Sequence, residues 1–331
     1  MSLSLAQHAP VQRVRYPEWE RRGVEVSIWR LDCIDTPAPG NKLFKLHENF
    51  AAARVAGRNR VLSFGGAFSN HIHALALAGA AQGFATVGII RGDAAALDNP
   101  TLRDAAKAGM ELVVTERGLY RDLCRATAMA QLPAEWAQRF GDCHVIPEGG
   151  SNRLGVEGCR VLGEAIQALP ERPDLVVLPC GTGATLAGLV AGLGGHIPVL
   201  GIAVLKGDFV AAAVQQFLGA SGCADCTCWS IDADSHCGGY ARVPSALQQF
   251  LGDFMASTGV PVEPVYSGKM LYAIHRRIAR GEFARGTRLL LLHTGGLQGA
   301  RGFAYRNARP TDNIDISFDA VPAGIPGRGG G

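Results

Sequence analysis

The sequence predicts an α/β protein with mostly parallel sheets, and three features of the 331-residue chain carry that prediction. Apolar runs alternate with helical patterns along most of its length, as strand–helix–strand units do. The candidate strands are apolar almost without interruption, which is typical of parallel strands covered on both faces. Short glycine clusters separate the runs and suit tight turns. Proteins of this kind bind ligands at the carboxyl ends of their strands.

The predicted elements follow one another regularly. Helices are recognised by the spacing of apolar residues and by end signals, such as Asn99 as N-cap, Pro100 in the first turn and Gly109 at the end. Strands are recognised as short runs rich in valine, isoleucine and leucine. In chain order we predict strand 60–64, helix 71–83, strand 85–92, helix 99–109, strand 110–116, a helix from 119, a strand within 144–152, helix 154–169, strand 174–179, helix 185–193 and strands 197–204 and 287–293.

Composition and charge exclude several classes of function. The chain is 47% hydrophobic and 18% charged, which is enough for one large or two ordinary domains. Its net charge of +3 gives no electrostatic case for nucleic acid. No apolar run reaches the length of a membrane span, and the first residues lack the apolar core of a signal peptide. We therefore expect a cytoplasmic protein with neither a nucleic-acid nor a membrane partner.

Two segments depart from the regular alternation. The sequence PEGGSN, at 147–152, is a plausible hinge between two lobes. The tail from Thr311 onward is rich in glycine and proline, and we predict that its tip is disordered.

The nine cysteines are odd in number and scattered, which indicates free thiols in a reducing compartment. One cluster of them has a spacing that can bind a metal ion. A second matching C-x-x-C is missing, so thiols without a metal are favoured over a metal site. The cluster comprises Cys223, Cys226, Cys228, His236 and Cys237.

The loop after the predicted strand 174–179 has the composition of a phosphate site. Small residues let backbone N–H groups approach an anion at a helix N-terminus, and the threonine hydroxyls add donors. Leu186 stands where a dinucleotide fingerprint needs glycine, and no Gly-Lys-Ser/Thr follows, so one phosphate group is favoured over a pyrophosphate. The alternative is a glycine turn without a ligand, at about one in three. The loop comprises Gly181, Thr182, Gly183, Ala184 and Thr185.

Two other segments place polar groups at predicted helix starts. Ser69 and Asn70 precede the helix 71–83, where they can cap it or present a hydroxyl and an amide to a ligand. Lys42 lies where a turn becomes a helix, although a helix N-terminus prefers anions. Its side chain either reaches water or is held near a group that uses its nitrogen.

Two later segments, 263–270 and 293–299, place hydroxyl groups beside glycines next to predicted strands. Taken alone, Tyr240 and Tyr266 would be packing residues more often than catalytic ones.

Taken together, the loops resemble one family, the pyridoxal-phosphate enzymes grouped as D-cysteine desulfhydrases and 1-aminocyclopropane-1-carboxylate (ACC) deaminases. The resemblance covers roughly residues 26–305. It implies the two-lobed α/β fold of the tryptophan-synthase β-subunit (fold type II), with the cofactor between the lobes. The larger lobe would comprise 1–45 and 148–331, and the smaller one 46–147. The resemblance is carried by seven segments in family order: GNKLFKL, GGAFSNHIHALA, IPEGGSNRLGVEG, CGTGATLAG, GGYARVP, EPVYSGKM and HTGG.

The resemblance implies roles for residues that hold pyridoxal 5'-phosphate. Lys42 matches the lysine that binds the cofactor covalently. In a desolvated cleft its pKa would be depressed, which frees the amine to attack an aldehyde. The phosphate would lie in the loop 181–185 with help from Lys45, and Asn70 matches the residue that contacts the ring oxygen.

Other matching positions concern the substrate and the reaction. Ser69 matches a serine near the substrate, and Tyr240 and Tyr266 match tyrosines that take part in proton transfer. ACC deaminases carry Glu and Leu where this chain has Ser267 and Thr294. Hydroxyls there would leave the ring nitrogen of the cofactor largely neutral, which is adequate for losing a β-substituent and less so for opening a cyclopropane.

Some residues depart from the family pattern. Phe44 replaces the usual basic residue between the two lysines, and Arg91 stands where a neutral residue is common. Arg91 either binds a carboxylate or pairs with Asp93. These departures weaken any transfer of substrate identity.

We therefore expect a lyase or deaminase similar to D-cysteine desulfhydrases, in which β-elimination from a small amino acid gives a 2-oxo acid and ammonia. We also expect a homodimer without a metal. The enzymatic alternative is ACC deaminase. A non-catalytic ligand-binding protein on the same fold is the alternative from another class.

Overall fold

The computed structural model describes residues 2–128 and 132–308. The predicted disorder beyond Thr311 falls outside these residues. Within the described ranges, no helix is both long and apolar enough to cross a membrane.

The described residues form two sheets. The larger sheet has strand order β1-β2-β10-β7-β8-β9, and only its β1–β2 pair is antiparallel. The smaller sheet has order β5-β4-β3-β6, with every pair parallel. The strands are β1 (Val11–Val14), β2 (Glu25–Arg30), β3 (Arg60–Gly66), β4 (Ala85–Arg91), β5 (Glu111–Thr115), β6 (His144–Ile146), β7 (Leu175–Cys180), β8 (Val199–Ala203), β9 (Trp229–Asp232) and β10 (Arg288–His293).

Helices cover both sheets, and short 3-10 turns lie at Leu31–Cys33, Ala94–Leu97 and Glu148–Gly150. The α-helices are α1 (Ser2–His8), α2 (Pro17–Arg22), α3 (Asn41–Val55), α4 (Asn70–Ala81), α5 (Pro100–Lys107), α6 (Arg117–Ala128), α7 (Ala134–Phe140), α8 (Arg153–Gln167), α9 (Ala184–Leu193), α10 (Phe209–Ala220), α11 (Ser245–Thr258), α12 (Ser267–Ala279) and α13 (Gln298–Ala308).

The core explains why the predicted strands are apolar at successive positions. Side chains alternate between the two faces of a sheet. Val177 and Leu178 of β7 accordingly belong to different apolar clusters, packed under different helices. Val61 and Leu62 of β3 show the same division in the smaller sheet. Because both faces are covered, apolar side chains are favoured at both sets of positions.

Close helix packing brings the starts of α3 and α9 together. A Cβ on Gly158 of α8 would lie 2.0 Å from the carbonyl oxygen of Phe44 in α3, and one on Gly188 of α9 would lie 2.3 Å from that of Val156 in α8. Only glycine permits such contact between backbones. Phe44 itself is fully buried, which accounts for an apolar residue between the two lysines.

The predicted α/β fold with mostly parallel sheets is confirmed by the strand order. Strands β1, β2 and β9 are not predicted from the sequence, because polar residues interrupt their apolar pattern. The predicted lobe boundary at 45/46 falls inside α3, and the division into two lobes stays a prediction.

Candidate active site

A large cavity lies at the carboxyl ends of strands from both sheets. Its volume is about 1600 Å³, above the roughly 300–1,000 Å³ of typical small-molecule sites. Its walls are the segments that follow β3, β4, β7 and β10, together with the start of α3. The lining includes most of the residues singled out from the sequence: Lys42, Lys45, Ser69, Asn70, Gly181, Thr182, Gly183, Thr185, Tyr240, Tyr266 and Thr294.

Lys42 is the second residue of α3, and its Nζ donates a hydrogen bond to Asn41 Oδ1 at 3.1 Å. Burial, with a smaller contribution from the positive charge of Lys45, lowers the pKa of Lys42 from 10.5 to about 7. At neutral pH, Lys42 is therefore an uncharged amine in a large fraction of the molecules. The uncharged amine is the form that attacks a carbonyl carbon. The helix dipole also disfavours a cation here, so the position favours a reactive amine.

Lys45 lies one turn further along α3 and is 3% exposed. Its Nζ donates to the carbonyl oxygen of Gly149 at 3.0 Å. Burial lowers the pKa of Lys45 as well. The backbone contact holds this nitrogen in the cavity wall near Lys42 and the start of α9.

The start of α9 opens into the cavity. Gly183 precedes the helix with φ 86°, a left-handed conformation that favours glycine. Among the described residues, no side chain caps this helix. The N–H groups of its first turn, beginning at Ala184, are therefore available to an anion.

Two threonine hydroxyls in this loop accept hydrogen bonds from neighbours. Ser151 Oγ donates to Thr182 Oγ1 at 2.6 Å, and Asn41 Nδ2 donates to Thr185 Oγ1 at 2.9 Å. A hydroxyl that accepts one bond keeps its own hydrogen for another acceptor. Both threonines can thus donate into the cavity. The sequence analysis missed Ser151 and Asn41, which orient these hydroxyls.

Ser69 and Asn70 occupy the opposite wall, at the start of α4. Ser69 Oγ accepts a hydrogen bond from the N–H of Ile72 at 3.3 Å, which is the capping role predicted for it. Asn70 Oδ1 accepts one from Gln298 Nε2 at 2.7 Å. Capping and a role at the cavity are compatible, because both residues also line it.

His71 borders the same cavity but is held as a neutral ring. Its Nε2 lies 2.9 Å from Ser63 Oγ, and that hydroxyl donates to the carbonyl oxygen of Ile146. Burial, together with the charges of Lys42 and Lys45, lowers the pKa of His71 well below 6.5. The ring is therefore a hydrogen-bonding group of the wall and not a cation.

Tyr240 and Tyr266 face each other across 6.0 Å between ring centroids, with their planes at 74°. Burial raises the pKa of both phenols. Both therefore keep their protons at neutral pH and can donate them. The pair comes from segments 26 residues apart in sequence, which the fold brings to one wall.

Glu263 is a site residue that the sequence analysis missed. It is fully buried, lines the cavity, and accepts backbone N–H groups from Val265, Tyr266 and Ser267 at 2.6–2.8 Å. Burial raises the pKa of Glu263 to about 7, although these hydrogen bonds act to lower it. Glu263 thus fixes the turn that carries Tyr266. An acidic residue four positions before a helix start was the available signal.

The two positions predicted to govern the reaction are placed differently. Thr294 follows β10 and lines the cavity. Ser267 is fully buried, stands outside the cavity lining, and its Oγ has no hydrogen-bond partner among the described residues. Glu263, which accepts the backbone N–H of Ser267, is an acidic residue that does line the cavity. The role of Ser267 at a cofactor stays a prediction.

Arg91 also lines the cavity, at the end of β4. Its guanidinium lies 5.5 Å from the ring centroid of Tyr120, and a Cβ on Gly66 would be 3.7 Å from its Nη2. Glu148 is partly buried nearby, where desolvation raises its pKa and the charge of Arg91 lowers it. The two roles proposed for Arg91, binding a carboxylate or pairing with Asp93, both stay open.

The cysteine cluster lies away from this cavity. Cys223, Cys226, Cys228 and Cys237 are free, partly buried thiols. Among the residues that the structure describes, no group of histidine, cysteine and acidic side chains could hold a metal ion.

Comparison with known proteins agrees with this geometry. Residues 9–295 match the family described as pyridoxal-phosphate dependent enzyme. A putative ACC deaminase of Thermotoga maritima is 29% identical over 294 residues, 85% of this chain and 91% of that protein. A mitochondrial bifunctional D-cysteine desulfhydrase/ACC deaminase of Arabidopsis thaliana is 29% identical over 309 residues, 88% of this chain and 76% of its own length.

A solved structure shows the same fold. The crystal structure of an ACC deaminase homologue superimposes with a TM-score of 0.78 and covers 93% of this chain and 97% of its own, at 23% identity.

Proposed function

Because the chain belongs to the family of pyridoxal-phosphate-dependent enzymes, we propose that it is a lyase or deaminase that eliminates a β-substituent from a small amino acid. The products would be a 2-oxo acid and ammonia. One observation carries the proposal: Lys42, with its pKa lowered to about 7, shares a cavity with Ser69, Asn70 and two protonated tyrosines. A site that only bound a ligand would need neither the reactive amine nor the paired phenols.

The residues of the cavity fit pyridoxal 5'-phosphate. The open start of α9, the hydroxyls of Thr182 and Thr185 and the cation of Lys45 suit its phosphate. Lys42 supplies the amine for its aldehyde. When bound, the cofactor contributes an electron-withdrawing ring that stabilises the charge left by removal of a proton from the α-carbon.

The side chains of the cavity would then handle the substrate and its protons. The uncharged amine of Lys42 is the base suited to remove the α-proton. The hydroxyl of Ser69 and the start of α4 suit the substrate carboxylate. Tyr240 or Tyr266 can donate a proton to the departing β-group, because burial keeps both phenols protonated. Glu263 supports this step by fixing the backbone of Tyr266.

The hydroxyl of Thr294, which lines the cavity, favours elimination over opening of ACC. A hydroxyl is a weaker partner for a protonated ring nitrogen than a carboxylate is. Ser267 would add to this preference only indirectly, because it is buried outside the cavity lining. Elimination asks less of the ring, because the leaving group takes the electron pair. The relatives are named for both activities, so ACC deaminase is the second candidate.

Localisation and assembly are part of the proposal. Nine free thiols support the cytoplasm, which is a reducing compartment. A homodimer stays a prediction.

A turnover screen tests the proposal. We expect 2-oxo acid from D-cysteine, β-chloroalanine or another β-substituted amino acid at a rate at least roughly a hundredfold above that from ACC, which is the size of a typical acid–base contribution. L-cysteine, serine and diaminopropionate complete the panel. Efficient turnover of ACC with none of the β-substituted compounds would overturn elimination. No turnover and no visible absorbance from a lysine-bound cofactor would favour a binding protein.

A further inference from the structure

Gln298 joins the two walls of the cavity. It is the first residue of α13, after the larger sheet, whereas Asn70 begins α4 beside the smaller sheet. The two residues are 228 positions apart in sequence, yet Gln298 Nε2 donates to Asn70 Oδ1 at 2.7 Å. Both line the cavity. The sequence analysis gave Gln298 no role.

This contact determines which side of the Asn70 amide remains available. A primary amide has an acceptor on one side and two donors on the other. With Oδ1 engaged by Gln298, the group left for a ligand is the Nδ2 donor. A Cβ on Gly296 would lie 2.4 Å from Nδ2, so the glycine leaves the space that this orientation of the amide needs.

The helix that carries Gln298 is anchored against the smaller sheet. Arg301 forms an ion pair with Asp104 of α5, and Tyr305 donates to the carbonyl oxygen of Asp98. A Cβ on Gly302 would lie 2.6 Å from the ring of Phe68. These contacts hold α13 against helix α5 and the loop before α4, so the backbone of Gln298 is fixed beside Asn70.

We propose that Gln298 is a positioning residue that holds Asn70 with its N–H₂ group toward the ring oxygen of the cofactor. The proposal rests on the proposed function, which assigns Asn70 to that oxygen. A ring oxygen accepts hydrogen bonds, so the donor side of the amide is attractive and the carbonyl side repulsive. Gln298 determines which side of the Asn70 amide faces the ring oxygen and does not itself contact the cofactor.

Two substitutions separate orientation from mere loss of a contact. Gln298→Ala removes the donor and leaves Asn70 free to rotate, so we expect cofactor affinity of the apo-protein to fall roughly two- to tenfold. Gln298→Glu replaces the donor by an acceptor. Asn70 should then turn its N–H₂ group to the new carboxylate and its carbonyl to the cofactor, with a loss of roughly ten- to a hundredfold. The absorbance maximum of the bound cofactor should also move more in Gln298→Glu than in Gln298→Ala.

Asn70→Ala provides the matched background, because a new charge at 298 could act on the cofactor directly. If Gln298 acts through Asn70, adding Gln298→Glu to Asn70→Ala should change cofactor affinity less than twofold, a limit set by non-additivity of coupled sites. Cofactor affinity is measured by titrating the apo-protein. Thermal unfolding of the apo-variants shows whether a substitution lowers the stability of the whole protein.

Three outcomes would overturn the positioning role. The first is a Gln298→Glu variant that binds the cofactor as well as Gln298→Ala does. The second is an effect of Gln298→Glu that persists in Asn70→Ala. The third is a fall in thermal stability without a change in affinity or absorbance. Failure of the proposed function would show separately, as unmodified protein that forms no covalent bond between Lys42 and the cofactor.

Discussion

Lys42 and Lys269, two of the buried lysines of this protein, differ in what their nitrogen atoms can reach. Lys42, at the start of α3, has its pKa lowered to about 7 and lines the cavity. Lys269, in the first turn of α12, has its pKa lowered to about 8 and is fully buried. Lys269 Nζ donates to the carbonyl oxygens of Gly239 and Val204 at 2.6 and 3.4 Å. It stands outside the residues that line the cavity.

The difference shows that burial alone does not make a nucleophile. Burial lowers the pKa of both amines, but only Lys42 combines an uncharged nitrogen with access to a ligand. Lys269 donates to two backbone carbonyls, one of which belongs to Gly239 next to Tyr240, so its contribution is to hold that loop. Chemistry at Lys42 and support at Lys269 can be separated by experiment.

The largest effect should come from Lys42→Ala. We expect turnover to fall by at least roughly a thousandfold, because both the covalent attachment and the base are lost. The fold should survive, since the residue lies at the edge of the cavity. Turnover of the best substrate in the screen and thermal unfolding are the measurements.

Lys269→Met is the matched control for that change. It removes another desolvated amine and leaves two carbonyls without a donor, so stability should fall by about 1–3 kcal/mol. Turnover should fall less than about tenfold, because small displacements of Tyr240 weaken proton transfer without removing it. A Lys269→Met variant that no longer binds the cofactor covalently, beside an active Lys42→Ala, would reverse the comparison.

The next effect concerns the loop that would hold the phosphate beside Lys42. Thr182→Val and Thr185→Val each remove one donor to a charged acceptor, and each should weaken cofactor binding by roughly 1.5–3 kcal/mol. Titration of the apo-protein gives the affinities. Thr258→Val is the control, because that hydroxyl donates to the carbonyl oxygen of Phe254, away from the cavity. Unchanged affinity in both loop variants would count against a phosphate here.

The smallest effect is the pH dependence of covalent cofactor binding. Because the pKa of Lys42 is lowered to about 7, its amine is mostly uncharged above that pH and mostly charged below it. The rate of covalent attachment should therefore rise with pH and reach half its maximum near 7, with a ratio of about ten between pH 8 and pH 6. The change in absorbance after mixing apo-protein with cofactor follows the rate.

Lys269→Met should leave this profile in place, because its lysine lies outside the cavity. A midpoint nearer 10 would show that Lys42 is not desolvated.

The sequence predicted the features whose causes are local. Strands such as β7 are apolar at successive positions because both faces are covered, so alternation of runs was enough to predict the fold. The loop 181–185 and Lys42 could be singled out because glycines and a misplaced cation are visible within a few residues. Motif order then linked them to one family.

The missed features depend on partners far along the chain. Gln298 acquires a role only because Asn70 lies against it, 228 residues away. Ser151 orients the hydroxyl of Thr182, which belongs to the loop after β7, 31 residues further along the chain. The role of Glu263 cannot be predicted from the sequence, because its partners are backbone N–H groups, which no side-chain pattern reveals. For Ser267 the sequence gives the residue type but not the direction in which its side chain points. In the structure Ser267 is buried outside the cavity lining.

The central claim is that Lys42, among the buried lysines, is the residue that binds the cofactor. The direct measurement is reduction of the cofactor-loaded protein with borohydride, followed by peptide mapping of the pyridoxyl group. The account predicts the label on Lys42, in the peptide that begins α3. A label on Lys45, whose nitrogen contacts Gly149, or on Lys269, whose nitrogen contacts Gly239, would contradict it.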